Sequence, residues 1–495
     1  MTPLTNPCTQ DPDAHIFCWQ HGPLCLGVQD LAISPLPIPS SEDCLFIDVW
    51  APSPDDNNTN NPSPPKPVLV WIQGGAFVNL FNPNYNGSGL IEASGRDAIV
   101  VTFNYRVGAH GFLAGAELEA EGNLNIGLHD QRMAIRWVEE HIDKFGGDPG
   151  RVTLFGTSIG AGSVLLHSMA YGGNPPPGKE LNWQAGIATA VNVPPVYTVE
   201  ELEHQYQMFL EAVGCESLAC LRGLSSDDFQ AANSGRPLLE GQSTVPLFPS
   251  SPVIDSSLLL DTPSRMATAG NFSTSRPLII GSGRSEGTLF APQANSTHEV
   301  SSFISTQFPL LTLRDVEKAQ EMYADTPATY PGVTAPLAPY FYRLAEMYGD
   351  AGFSCPALHV ATSMRDAGTD IHLLRNAVVD PVELAAGLLT PHTWEVEAVW
   401  GPGYATQYVA LPGADSYREG GENHEIVHLA QSYWLNFAKT LGDPTAGQDV
   451  PPWARLNEGS ARLRIKAGDT VMETIEEQEL ARCRFWDSVS DKTRI

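Results

Sequence analysis

Pro67-Val-Leu-Val-Trp-Ile72 is a continuous apolar run, the pattern of a strand covered on both faces, and it stops at Gln73-Gly-Gly-Ala-Phe77. Ala98-Ile-Val-Val-Thr-Phe103 predicts a second buried strand. Upstream, Ser41-Glu-Asp-Cys-Leu-Phe-Ile-Asp-Val-Trp50 predicts another, bounded by Pro35, Pro37 and Pro39 before it and Pro52 and Pro54 after it. Asp55 to Lys66 is polar and proline-rich and predicts a surface loop. From about Leu128 to Phe145 the period turns helical, with Met133, Ile135, Trp137, Val138 and Ile142 on the apolar side. Val152 to Phe155 returns to strand and runs into Gly156-Thr-Ser-Ile-Gly160. Ala161, Val164, Leu165, Leu166 and Met169 then predict a second helix. Pro277-Leu-Ile-Ile-Gly281 is a further short buried strand. Strand, glycine loop, strand, helix, strand, sharp turn and helix, in that order, predict an α/β architecture: a mostly parallel central sheet with helices on both faces.

Length and charge narrow this picture. The chain has 495 residues and no linker long enough to separate a pair of cores, so one domain over 1–495 is expected, with helical insertions around 190–275 and 300–390. Against 28 Lys+Arg stand 57 Asp+Glu, a formal charge of -29, which argues against nucleic acid or an anionic membrane as a partner. No apolar run reaches the ~18 residues of a membrane span. Met1 to Trp19 lacks the basic start and apolar core of a signal peptide, so any leader is expected to be absent from this chain. Eight cysteines, at positions 8, 18, 25, 44, 215, 220, 355 and 483, accompany Asn-x-Ser/Thr sequons at Asn57, Asn86, Asn271 and Asn295. Together they predict a glycosylated, disulfide-bonded protein of the secretory pathway.

The chemistry centres on Gly156-Thr-Ser158-Ile-Gly160. A strand turning sharply into a helix lifts a serine hydroxyl clear of the backbone, and glycines two residues either side permit the bend. The helix that follows points its first N–H groups at Ser158. The small residues of Gln73-Gly-Gly-Ala-Phe77 leave backbone N–H groups bare after a central strand, where they can meet a developing oxyanion. A post-strand loop, Ser282-Gly-Arg-Ser-Glu286-Gly, offers a carboxylate, with Asp255 as its nearest rival. Six of the thirteen histidines lie beyond Glu286: His298, His359, His372, His392, His424 and His428. A competing constellation is His424-Glu425-Ile-Val-His428, an H-E-x-x-H run whose imidazoles would share one face of a helix and so could hold Zn²⁺.

Glu42-Asp-Cys-Leu-Phe-Ile-Asp-Val-Trp50, Gly74-Gly-Ala-Phe77 and Phe145-Gly-Gly-Asp-Pro through Gly160 resemble the signatures of the type-B carboxylesterase/lipase family, the cholinesterase-like α/β-hydrolases, in a member of fungal type. The resemblance runs from about Cys25 to the C-terminus and implies an α/β-hydrolase fold without a cofactor or metal. It assigns Ser158 as nucleophile, Glu286 as triad acid and His392, in Pro391-His-Thr-Trp-Glu-Val-Glu397, as general base. Gly75, Ala76 and Ile159 would donate N–H groups to the oxyanion. It also implies the pairs Cys25/Cys44, Cys215/Cys220 and Cys355/Cys483, leaving Cys8 and Cys18 to each other, although eight cysteines allow 105 pairings. The run from His428 into Tyr433-Trp-Leu-Asn-Phe-Ala438 is similar to the family's C-terminal helix and speaks against the zinc hydrolase.

Three departures shape the expectations. The family has Glu before the nucleophile and a tiny residue after it, where this chain has Thr157 and Ile159; the branched Ile159 should narrow the acyl side. The N-terminal edge of the sheet should be shortened, because relatives carry strands before the cysteine loop. A Cys25–Cys44 loop holds three prolines and no aromatic residue. It is too broken for a lipase lid and lacks a cation–π cage for a quaternary ammonium, which points to small soluble carboxylic esters. The alternative from another class is a non-catalytic binding or adhesion domain on the same fold. The oligomeric state is not encoded in any motif.

Overall fold

The computed structural model describes residues 22–28, 39–53, 64–80, 85–233, 247, 250–405, 414–447, 450–456 and 461–495, with the backbone of 8–10 and 16–18. Its main sheet contains β1 (Ile47–Trp50), β2 (Lys66–Ile72), β3 (Ile99–Phe103), β4 (Gly147–Thr157), β5 (Ala185–Thr189), β6 (Leu278–Gly283), β7 (Ile371–Asn376), β8 (Ala461–Ile465) and β9 (Val471–Thr474). They lie in the order β9-β8-β7-β6-β5-β4-β2-β3-β1. The seven inner strands are parallel, and antiparallel β1 and β9 form the two edges. This is the α/β-hydrolase arrangement that the sequence resemblance implies.

The apolar runs follow from burial on both sides. Val68, Val70 and Ile72 of β2 join one core cluster with Ile159, Val164 and Leu165 of helix α3 (Ile159–Met169), and with Ile135 and Val138 of α2 (Ile126–His141). Leu69 and Trp71, on the opposite side of the same strand, join a second cluster with Tyr433, Trp434 and Phe437 of α7 (His424–Thr440). Alternate residues therefore serve alternate cores, which is why no polar position interrupts the run. The second core is aromatic at its centre: Trp71 lies 4.8 Å from Phe155 and 5.4 Å from Trp400, ring centre to ring centre.

Several expectations change in detail. Of Ser41–Trp50 only β1 enters the sheet; Ser40–Ser41 pairs with Leu24–Cys25, and the Cys25–Cys44 bond holds the intervening turn. Helix α2 ends at His141 and tightens into a single 3₁₀ turn, Ile142–Phe145. Met133 is not on its buried side but 64% exposed. That position is turned outward because Gln131 is turned inward, where it donates to Ser163 Oγ at 3.1 Å and meets His167 Nε2 at 2.9 Å. The stretch around 300–390 is not wholly a helical insertion, since it contributes the central strand β7. Its polar His372 and Arg375 hide that strand from a hydropathy reading, as the small Ala185-Gly-Ile-Ala-Thr189 hides β5.

All three disulfides implied within the described residues are formed: Cys25–Cys44, Cys215–Cys220 and Cys355–Cys483. Cys8–Gln10 and Ile16–Cys18 form a separate antiparallel ribbon whose register sets Cys8 opposite Cys18. Of the sequons, Asn295 is exposed, Asn86 and Asn271 are half-buried, and Asn57 lies outside the described residues. No helix among the described residues is long and apolar enough to cross a membrane.

Helix α8 (Glu477–Ser488) closes the β7–β9 side with charge. The buried Glu479 carboxylate accepts from Arg462 at 2.6 and 2.9 Å and from Arg375 at 2.6 Å. Burial alone would raise its pKa, but the two guanidinium groups outweigh that and hold it down to about 2. A depressed folded pKa means stability that is present above the usual carboxylate range and is lost as pH falls toward 2. Glu479→Gln leaves two guanidinium groups without their shared counterion. Urea unfolding at neutral pH is expected to register a loss of about 3–5 kcal/mol, and the gap to wild type should shrink on acidification.

Candidate active site

Strand β4 delivers Ser158 at the point where α3 begins, with backbone angles φ 59° and ψ -131°. A non-glycine residue holds such a conformation only where neighbours over-determine it. Ser158 N–H donates to Thr189 O at 3.2 Å, and its carbonyl accepts from Gly162 N at 3.0 Å and Asn192 N at 3.2 Å. The flanking glycines are sterically required: a Cβ on Gly160 would sit 2.0 Å from Ile72 O, and one on Gly156 2.5 Å from the Gly160 carbonyl carbon.

Glu286 lies on a 3₁₀ turn just after β6, and His392 on the loop after Pro391. Ser158 Oγ stands 2.7 Å from His392 Nε2, and His392 Nδ1 is hydrogen-bonded to Glu286 Oε2. The other carboxylate oxygen, Oε1, accepts from Gly283 N–H. Glu286 is acceptor-only when ionised, so the proton sits on Nδ1 and the Nε2 lone pair faces the serine hydroxyl. The three residues are 9%, 1% and 6% exposed, in the order Ser158, Glu286, His392. The imidazole is walled by Phe353 at 4.8 Å and Phe290 at 5.2 Å, which stack on each other at 5.3 Å. Phe353 belongs to a π-helical turn, Asp350–Ser354, a local widening of the helix that carries the ring onto His392.

The rivals are committed elsewhere. Asp255 accepts from Asn125 Nδ2 at 2.8 Å and from the turn amides of Ser257 and Leu259. His372 is buried among Phe437 and Trp453, and burial pushes its pKa down to about 4. His359 meets Thr268, Ser264 and Asp487, while His298 is exposed. His424, Glu425 and His428 do lie on the first turns of α7, all exposed. Glu425 accepts from Gly468 N–H and His424 Nδ1 lies 3.1 Å from Tyr417 O. Among the described residues no three His, Cys, Asp or Glu side chains are grouped to share a metal ion.

The loop after β2 approaches Ser158 closely. A Cβ on Gly74 would lie 2.9 Å from Ser158 Cβ, so only glycine allows this approach. Gly75, Ala76 and Phe77 follow with φ of 120°, 57° and 58°, three consecutive residues in left-handed territory. Tyr105 Oη–H donates to Gln73 O at 2.8 Å, Gly108 N–H to Phe77 O at 2.7 Å and Val28 N–H to Val78 O at 2.9 Å. Among the described residues the N–H groups of Gly75, Ala76 and Ile159 have no hydrogen-bond acceptor within the protein backbone. The Ile159 side chain is fully buried in the core cluster of α3.

One feature was not read from the sequence. Thr157 Oγ1 donates to Glu395 Oε1 at 2.6 Å, so the residue that departs from the family pattern holds a buried carboxyl three positions past His392. Burial and the charge of Glu286 raise the Glu395 pKa. Burial likewise raises Glu397 to about 7 and, with the charge of Asp380, Glu383 to about 8. The alternating Glu395-Val-Glu397 was the available signal, but alternation reads as one exposed face, and here both carboxyls point inward.

With this geometry in place, comparison with known proteins gives a consistent result. The profile of the carboxylesterase family matches residues 7–486. Lipase 1 of Geotrichum candidum is 32% identical over 456 residues, 88% of this chain and 75% of that protein. Carboxylesterase patB of Penicillium expansum is 29% identical over 93% of this chain and 78% of its own length. The crystal structure of Aspergillus niger EstA superposes with a TM-score of 0.86 at 36% identity, covering 96% of this chain and 88% of that one.

The raised carboxyls set a pH dependence of stability opposite to that of Glu479. Glu397 ionises near 4.5 when exposed but near 7 in the fold, so its contribution is complete below 4.5 and is lost as pH rises to about 7. Glu397→Gln mimics the protonated carboxyl. Its melting temperature relative to wild type is expected to rise between pH 5 and pH 8, measured by calorimetry at fixed ionic strength.

Proposed function

Because the chain belongs to the carboxylesterase family and is therefore a carboxylic ester hydrolase, we propose that it acts as a serine esterase through Ser158, His392 and Glu286. The observation that carries the reading is the buried chain of hydrogen bonds from Ser158 Oγ through His392 to Glu286. His392 Nε2 takes the hydroxyl proton as Ser158 Oγ attacks the ester carbonyl, and Glu286 stabilises the imidazolium that forms. The negative charge that develops on the carbonyl oxygen is met by the N–H groups of Gly75, Ala76 and Ile159, which the fold leaves available. His392 then hands its proton to the leaving alcohol. Water repeats the sequence on the acyl-enzyme and releases the carboxylic acid.

The substrates are small soluble esters. The short, proline-broken Cys25–Cys44 ring supports this, as a lipid-covering helix does not fit within it. Three disulfides and the exposed Asn295 sequon support a secreted glycoprotein, and residues 1–495 are read as one hydrolase unit.

The test is hydrolysis of a p-nitrophenyl ester series, with an organophosphonate to label the nucleophile and a zinc chelator in parallel. Ser158→Ala is expected to lower kcat by about 10⁵-fold or more, and Glu286→Gln by about 10³–10⁴-fold, both without loss of fold. Label should appear on the Ser158 peptide and chelator should have no effect. Undiminished turnover by Ser158→Ala would overturn the assignment, and absence of both label and turnover in wild type would leave a binding domain.

A further inference from the structure

The oxyanion loop is held from two sides, by Gly108 N–H on Phe77 O and by Val28 N–H on Val78 O. These clamps come from unrelated parts of the chain. Gly108 opens the short helix α1 (Gly108–Phe112), and Val28 lies inside the Cys25–Cys44 ring, packed with Ala76 and Val78. Two buried side chains join them, Gln230, which donates to Gly27 O and lies 3.4 Å from His110 Nε2 of α1, and Asn233, which holds the clamp residues' neighbours on both sides. Asn233, the last residue of helix α4 (Ser226–Asn233), accepts from Ala109 N–H at 2.7 Å through Oδ1. Through Nδ2 it donates to Gly27 O and Gln230 Oε1, each at 3.1 Å.

We propose that Asn233 is a positioning residue for the oxyanion hole, a crosspiece that fixes both clamps and so sets where the Gly75 and Ala76 N–H groups point. The proposal rests on the serine-esterase reading above. Asn233 is 4% exposed and no oxygen or nitrogen of its amide is idle, so a packing role alone does not account for an amide there. Its neighbour is fitted to it: Gly108 has φ +57°, and a Cβ would stand 2.6 Å from Asn233 Oδ1. Between the clamps lie the three successive left-handed residues, a conformation that relaxes unless its surroundings hold it. Neither Ser158, His392 nor Glu286 is hydrogen-bonded to any member of this network, so loosening it leaves the nucleophile intact.

Loosening donors aimed at a developing charge costs rate more than substrate affinity. Asn233→Leu keeps the γ-branched heavy-atom pattern and removes every hydrogen bond of the side chain. Its kcat on p-nitrophenyl butyrate is expected to fall about 10–100-fold with KM within about twofold, the scale of a small misplacement. A trifluoromethyl ketone, whose serine adduct carries the oxyanion, should lose affinity by the same factor as kcat/KM. Asn233→Asp retains the acceptor for Ala109 N–H but turns an oxygen toward Gly27 O, and should give the same pattern with a smaller drop. If Asn233→Leu does not fold, Asn233→Asp decides alone. Unchanged kcat in a folded variant overturns the proposal. So does a fall in kcat that leaves ketone affinity untouched, or one that tracks only a lowered melting temperature. Wild-type turnover and phosphonate labelling of Ser158, measured on the same preparations, separate these outcomes from failure of the esterase reading itself.

Discussion

The arrangement depends on holding one non-glycine residue, Ser158, at a positive φ between a strand and a helix. Such backbone is costly for an L-residue, and the surroundings are built to prevent its relaxation. Gly156 and Gly160 allow β2 and α3 to close on it without clash. Thr189 at the end of β5 and Asn192 just beyond fasten its N–H and carbonyl. Each of these supports is itself fixed by the parallel register of β2, β4 and β5, so the turn is rigid because the sheet is. The sheet is secured in turn by apolar cores on both faces, which resist any slip of register since a slip by one residue would exchange the faces.

Many polar groups are buried inside this frame. The buried glutamates of this region differ in their partners. Glu286 is paired directly with the imidazole, whereas Glu395, Glu397 and Glu383 are buried with weaker partners and have raised pKa values. Thr157 satisfies Glu395 with a neutral hydroxyl, where the family pattern would set a second carboxylate against it. The raised Glu395 pKa disfavours a second charge beside Glu286.

What could be read from the sequence divides along physical lines. The buried strands β2, β3 and β4, the elbow and the glycine loop are local: each is encoded by apolar runs or glycines at fixed spacing. The disulfide pairs within the described residues followed from the family resemblance rather than from spacing. Strands β5 and β7 were missed because small or polar residues occupy them, and neighbouring strands bury these from both sides regardless. Met133 faces outward on α2 although it is apolar, because Gln131 takes the inward direction to reach Ser163 and His167. The Glu395 contact with Thr157 spans 238 positions, and no local pattern reports such a pairing.

The same distance along the chain has a further consequence. His392 lies 106 positions from Glu286 and 234 from Ser158, and the loops that hold them emerge from different strands of one sheet. During synthesis Ser158 leaves the ribosome long before His392 does, and β8, which flanks β7, comes later still. No contiguous fragment of the first half contains the three groups. The buried hydrogen-bond chain of Ser158, His392 and Glu286 therefore forms only when distant segments have docked, so its closure belongs to the end of folding rather than to a step along it.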